Sequence, residues 1–241
     1  MGFRRGMSDG LAIGLGYLSV SFSFGIMAVT SGLAWWQAVL ISLTNLTSAG
    51  QVAGVGIMSA SGGLIEMAIA QFVINIRYSL MGISLSQKTD ESMNFPARLI
   101  SSFFITDEIF GVAVTKEKVG FRYMAGLGFY PVIGWTTGTL LGAVLGNIMP
   151  PFVTNSLAIG IYGMFVAIVL PVCRRSKIVA GVSSLSVILA VVFRYVPFLH
   201  DNVSSGFAII ICAVIAAVAG AVITPDREED VKEIVKEEAD G

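Results

Sequence analysis

Charge is scarce in this chain. Lys, Arg, Asp and Glu make up 13% of its 241 residues, against about 25% in a soluble domain. With 55% hydrophobic residues and a mean hydropathy of +0.81, this excludes an ordinary globular domain and places the chain among membrane proteins. Cysteine is nearly absent. Cys173 and Cys212 lie far apart in apolar surroundings, which excludes a disulfide framework and a cysteine metal site, so both read as structural. A single histidine, His200, excludes multi-histidine metal centres. No phosphate-binding glycine loop, nucleophile elbow or dinucleotide fingerprint is present. No soluble stretch is large enough to bind ATP, so this chain alone is not an ATP-driven pump. No catalytic set, metal, cofactor or nucleic-acid partner is expected. The apolar stretch after Arg4 and Arg5 is too long for a signal peptide and reads as the first span.

Long apolar runs are what the chain has instead. A spanning helix needs about 20 such residues. The runs 11–32, 36–60, 64–85, 99–115, 123–148, 154–173, 178–197 and 204–223 are the candidates. The expectation is an all-α polytopic membrane helix bundle of seven to eight transmembrane segments, favouring eight, with lipid as its surroundings. The fourth run is the shortest and could be a short span, a broken helix or a re-entrant segment. Basic residues cluster at Arg4–Arg5, at Lys116, Lys118 and Arg122, and at Arg174, Arg175 and Lys177. The positive-inside rule puts these clusters, and both termini, in the cytoplasm of a multi-pass inner-membrane protein. Trp35 and Trp36, at a span boundary, read as interface anchors.

The membrane domain is expected over residues 1–225. Residues 226–241 hold eight acids and three bases, a net of −5 within an overall −1, and read as a cytoplasmic tail, disordered or a short helix. Phe3-Arg4 and Gly16-Tyr17 recur as Phe121-Arg122 and Gly134-Trp135, 118 residues on. Arg77-Tyr78 recurs as Arg194-Tyr195. This suggests two repeats, 3–118 and 119–223, in parallel orientation as in some transporters.

Polar residues within the spans mark candidate sites. Asp107 and Glu108 stand alone in the run 99–115, and ionised groups in hydrocarbon cost several kcal/mol, roughly, unless they serve a function or a pair. They lie about 100° apart on a helix, so each should meet a different partner. Arg77 is the obvious cation for one of them. Alternatively it snorkels to the nearer interface. Thr44, Asn45, Thr47, Ser48 and Gln51 crowd the second run around Gly50. Helical spacing would place Thr44, Ser48, Gln51 and Val55 on one face, and so many polar groups suggest partial unwinding beside a cavity. Gln71, Asn75, Tyr78 and Gly82 share a face of the third run. Thr44, Asn45, Ser48, Gln51, Gln71, Asn75 and Tyr78 are therefore candidate substrate-binding residues. Arg77, Asp107 and Glu108 are candidates for pairing with substrate charges or relaying a proton. Gly134, Gly138, Gly142 and Gly146 form a side-chain-free ridge for close helix packing, internal or with a second subunit.

The order of these features resembles the AzlC family of branched-chain amino acid permeases. The matching pieces are Phe3-Arg4-Arg5-Gly6 with Asp9, the Gly-Gln segment ending at Gln51, Asn75-Ile76-Arg77, Thr106-Asp107-Glu108, and Gly134-Trp135 with Gly138. Residues 157–171 resemble a later span of the family. The resemblance covers about residues 3–223. Tyr78 stands where many members have histidine. The resemblance implies export of branched-chain amino acids such as valine or leucine, by a large permease subunit working with a small AzlD-type membrane partner. Ion or proton coupling would be consistent with the acidic pair. A non-transporting membrane scaffold and an intramembrane enzyme using two carboxylates are the rival readings.

Overall fold

A computed structural model describes residues 2–146, 148–150, 152, 162–163, 165–166, 169–174 and 176–223. The acidic tail and most of the run 154–173 lie outside the described residues. Among those described, the structure is helical, with one isolated β-bridge between Thr89 and Val119. It divides into two units, Met1–Ala167 and Ile168–Gly241. Among the described residues, four helices are long and apolar enough to cross a membrane.

The first unit is built on α1 (Phe3–Thr30) and α7 (Phe121–Gly146), which pack along their whole length. They run parallel and in register. Gly6 faces Tyr123 and Leu127, Gly14 faces Tyr130 and Gly134, and Phe22 faces Gly142. Partners are thus separated by close to the 118 residues that separate Phe3 from Phe121. The glycines let the two backbones touch. A Cβ on Gly134 would strike the Gly14 carbonyl, and one on Gly138 or Gly142 would strike the Leu18 or Phe22 carbonyl. Pro131 lies inside α7. Its missing N–H deprives Leu127 of an intrahelical donor, and that carbonyl lies against Gly10, where no side chain intervenes.

Three apolar clusters mark levels along this pair. Leu127, Met124 and Tyr123 anchor one at the N-terminal end, with Leu85, Ala97, Ile109 and Ala113. Tyr17, Leu46 and Trp135 form one at the middle. Phe24, Ala28 and Ala143 join Ala38 and Val55 at the C-terminal end.

These levels show how the intervening chain runs. α2 (Trp35–Thr44) and α3 (Ala49–Ser59) both reach the C-terminal cluster through Ala38 and Val55, while Leu46 between them reaches the middle. Gln51 Nε2 donates to Ser42 Oγ at 3.2 Å across the break. A straight helix would hold residues nine apart about 13 Å from each other, so the chain folds back. α4 (Leu64–Ser86) then returns antiparallel to α3, with Gln71 beside Gly50 and Met67 beside Gly54. α5 (Phe95–Phe103) and α6 (Asp107–Val114) repeat the fold-back from the other end. Ala97 and Ala113 lie in the N-terminal cluster, and Thr106 reaches Tyr17 at the middle. Asn94 caps α5 by accepting from Ala97 N at 3.0 Å, and Thr106 caps α6 by accepting from Ile109 N at 3.3 Å.

The runs 36–60 and 99–115 are therefore not continuous spans. Each is a helical hairpin that enters to mid-depth and leaves on the same side, which agrees with the broken or re-entrant alternative for the fourth run, while the expected count of eight spans is not confirmed. The break after Thr44 also corrects the single polar face expected for Thr44, Ser48, Gln51 and Val55. Local chemistry explains it: Asn45 Oδ1 accepts from the Thr47 N–H and hydroxyl, a turn that competes with helix.

At the N-terminal end of the α1–α7 pair, Asp9 accepts from Tyr123 Oη at 2.8 Å and pairs with Lys116 at 3.1 Å and Arg5 at 3.3 Å. Lys88 donates to the Val114 carbonyl, and Arg98 donates to Thr89 Oγ1 at 3.1 Å. These bonds fasten the second hairpin to its own side. In the adjoining loop, Asp90 accepts from the Ser92 hydroxyl and N–H. The hydrogen bond from the Ser92 hydroxyl holds its carboxyl below the ordinary 3.8. A depressed folded-state value favours the fold above the unfolded pKa, and that contribution disappears as pH falls through the folded value. Acid titration of detergent-solubilised protein should thus show Ser92→Ala flattening a loss of stability that begins only below pH of about 4.

In the second unit, α8 (Lys177–Tyr195) packs against α10 (Ser205–Ile223), joined through the short α9 (Pro197–Asn202). Ser176 caps α8. An apolar cavity of about 480 Å³ lies between them, with Arg194 and His200 3.1 Å apart on its wall. Cys173 and Cys212 are free thiols.

Candidate functional site

The tips of the two hairpins meet at mid-depth. Leu46 and Ser48 from one, and Thr106, Asp107 and Glu108 from the other, enclose a small cavity with Tyr17, Tyr78 and Trp135. Tyr17 and Trp135, the aromatic residues of the Gly-Tyr and Gly-Trp pairs, stack edge to face at 5.2 Å. The cavity measures about 10 Å³, room for one water at most. It is an occluded junction, and larger molecules can occupy it only when the tips part.

The two acids take separate partners. Asp107 Oδ2 pairs with Arg77 Nη1 at 2.9 Å. Arg77 Nη2 also donates to Tyr78 Oη at 3.3 Å, and the guanidinium lies over the Tyr78 ring. Glu108 instead accepts a short hydrogen bond from Tyr17 Oη, which lies 2.7 Å from Thr106 Oγ1. Both acids sit in the first turn of α6, where the helix dipole favours negative charge. Arg77 and Asp107 keep 41% and 33% of their side-chain surface exposed, so this ion pair is only partly buried within the unit.

The other candidates divide. Ser48 and Tyr78 line the cavity. Thr44 is exposed and donates to the Leu40 carbonyl of its own helix. Asn45 shapes the first tip. Gln51 is buried in a chain from Gln51 to Ser42, to Thr139 at 2.7 Å, and on to the Trp135 carbonyl. Gln71 donates to the Gly50 carbonyl at 2.8 Å and accepts from Asn75 at 3.0 Å, tying α4 to the start of α3. Gly134, Gly138 and Gly142 lie against α1, and Gly146 lies beside Ile26. Sequence reasoning had not named Tyr17, Trp135, Ser42 or Thr139 as site residues. The Gly16-Tyr17 and Gly134-Trp135 repeat was the signal available for the first two.

Residues 12–149, from α1 through both hairpins to the end of α7, match the family described as AzlC protein. The chain belongs to the AzlC family. This is a family of membrane proteins linked to transport rather than a family of enzymes. An uncharacterized membrane protein of Archaeoglobus fulgidus is 31% identical over 190 residues, covering 78% of this AzlC-family chain and 84% of the relative. Inner membrane protein YgaZ of Escherichia coli is 27% identical over 150 residues, 60% of this chain and 61% of YgaZ. An uncharacterized membrane protein of Helicobacter pylori is 25% identical over 150 residues, 60% of this chain and 64% of the relative. No solved structure matches the chain significantly.

Proposed function

We propose that this chain is the large subunit of a permease that exports branched-chain amino acids across the cytoplasmic membrane, coupled to an ion or proton gradient. The observation that supports the reading is the pair of hairpin tips meeting beside an ion pair and a tyrosine-bound carboxylate. Two hairpins from opposite sides place ionisable groups and helix ends at mid-depth, where broken helices serve transport. Apolar walls of Leu46, Tyr17 and Trp135 suit a branched side chain. Arg5, Lys88, Arg98 and Lys116 share the N-terminal end of α1, which the positive-inside rule orients to the cytoplasm. A small AzlD-type membrane protein is the proposed partner.

Counterflow of labelled valine in vesicles, with and without the small partner and a proton gradient, tests the reading. The wild-type pair should exchange valine, and the gradient should accelerate net movement. Glu108→Gln should lower gradient-driven transport at least tenfold at normal expression. Wild-type exchange no faster than in empty vesicles would remove valine as the substrate.

A further inference from the structure

Trp135 is 1% exposed, lines the junction cavity, and its indole N–H has no hydrogen-bond partner among the described residues. Buried donors are nearly always satisfied, so an unsatisfied one at the junction where the hairpin tips meet points to a ligand acceptor admitted when the tips part. Ser48 lines the same cavity. It stands at the N-terminus of α3, yet its side chain makes no capping bond there. Its φ of 37° places a serine in the left-handed region, where strained residues tend to cluster at ligand clamps. α3 is 11 residues long and has no acid in its first turn, so its dipole end is uncompensated. α6, whose start faces the same cavity, carries Asp107 and Glu108 in its first turn. The two helix ends therefore present opposite electrostatic surroundings.

The charges around the cavity sharpen this. Arg77 is already charge-balanced by Asp107, although its Nε has no hydrogen-bond partner among the described residues, so an incoming anion gains less there than at an unpaired cation. Among the described residues, Glu108 is met by the neutral hydroxyl of Tyr17 and by no cation, so it can accept one. A zwitterion would thus find its anionic partner at Glu108 and must find neutral donors for its carboxylate.

We propose that Trp135 Nε1, Ser48 Oγ and the N-terminus of α3 form a carboxylate subsite, and that an α-amino acid lies across the junction with its ammonium toward Glu108. This rests on the amino-acid reading above and assigns the substrate's orientation. Binding takes place when the tips part, since the closed cavity admits only a water. One charge-assisted hydrogen bond from Trp135 should contribute about tenfold in affinity.

The test uses tryptophan emission, because the chain has three tryptophans and two of them, Trp35 and Trp36, are exposed at the start of α2. Trp35→Phe with Trp36→Phe leaves Trp135 as the single reporter. In detergent with the full chain, L-valine should shift its emission, isovalerate should shift it more weakly, and valinamide should leave it unchanged. Ser48→Ala should raise the apparent Kd for valine about tenfold. In vesicles, Trp135→Phe should raise KM for valine about tenfold while kcat stays within about twofold. A valinamide shift as large as that of valine overturns the subsite, as does silence toward both carboxylates. If isovalerate shifts Trp135 while wild-type vesicles fail to exchange valine, the carboxylate subsite stands and the amino-acid reading falls.

Discussion

Alanine at Gly142 is expected to abolish the folded first unit, while alanine at Gly16 is tolerated. Both glycines belong to the central helix pair, and helix propensity alone would favour alanine at both by about 0.5–1 kcal/mol. Contact decides the sign. A Cβ at Gly142 would overlap the Phe22 carbonyl, a backbone atom that cannot rotate away, whereas one at Gly16 meets nothing within 4 Å. Overpacking of this kind costs on the order of 3 kcal/mol or more, and a marginally stable protein has little more to lose. Gly138→Ala, which meets both Ser21 and the Leu18 carbonyl, should behave like Gly142→Ala. Yield of monodisperse protein in mild detergent and its thermal midpoint measure the effect. Equal yields from Gly16→Ala and Gly142→Ala would show that α1 and α7 separate freely.

The second large effect concerns Arg77 and Asp107. Asp107→Asn leaves the Arg77 guanidinium without its anion at mid-depth, at a cost of about 3 kcal/mol on insertion scales. Folded yield and valine exchange should both fall, exchange by more than tenfold. Arg77→Gln with Asp107→Asn removes both charges together. It should recover yield, because replacing an ion pair costs far less than orphaning one member. Exchange should stay low if the pair breaks and reforms during transport. Recovery of both quantities would reduce the pair to a structural tie.

The helical membrane character was legible in composition, because a chain this apolar has few other solutions. The acidic pair, Arg77 and the glycine ridge were legible because each is costly or unusual in its setting. The hairpins were legible only in part: the run 99–115 allows a broken or re-entrant segment and the polar crowding in 36–60 suggests partial unwinding, but neither shows that the chain reverses. A run such as 36–60 satisfies the length for one span, and hydropathy does not register that the Asn45 turn reverses the chain. The loop of the second hairpin is hidden for a related reason: Phe104 and Ile105 are as apolar as the helices they separate, and only Thr106 signals a new start. Polar residues also misled by position. Gln51 and Thr44 lie close in sequence to Ser48, yet one is spent on the Ser42–Thr139 chain and the other on its own helix. Tyr17 and Trp135 escaped notice as site residues because single aromatic residues in an apolar span look like packing.

The parallel contact of α1 with α7 also bears on how the chain is made. α1 emerges from the ribosome 118 residues before its partner, which at 5–20 residues per second means a wait of about 6–24 s. Throughout that interval the groove lined by Gly6, Gly10 and Gly14 faces lipid or the insertion machinery, and Tyr17 lacks Trp135. The first half cannot mature as it is synthesised. Ribosome-arrested chains ending before Phe121 should remain open to degradation, and those extending past Gly146 should abruptly become protected.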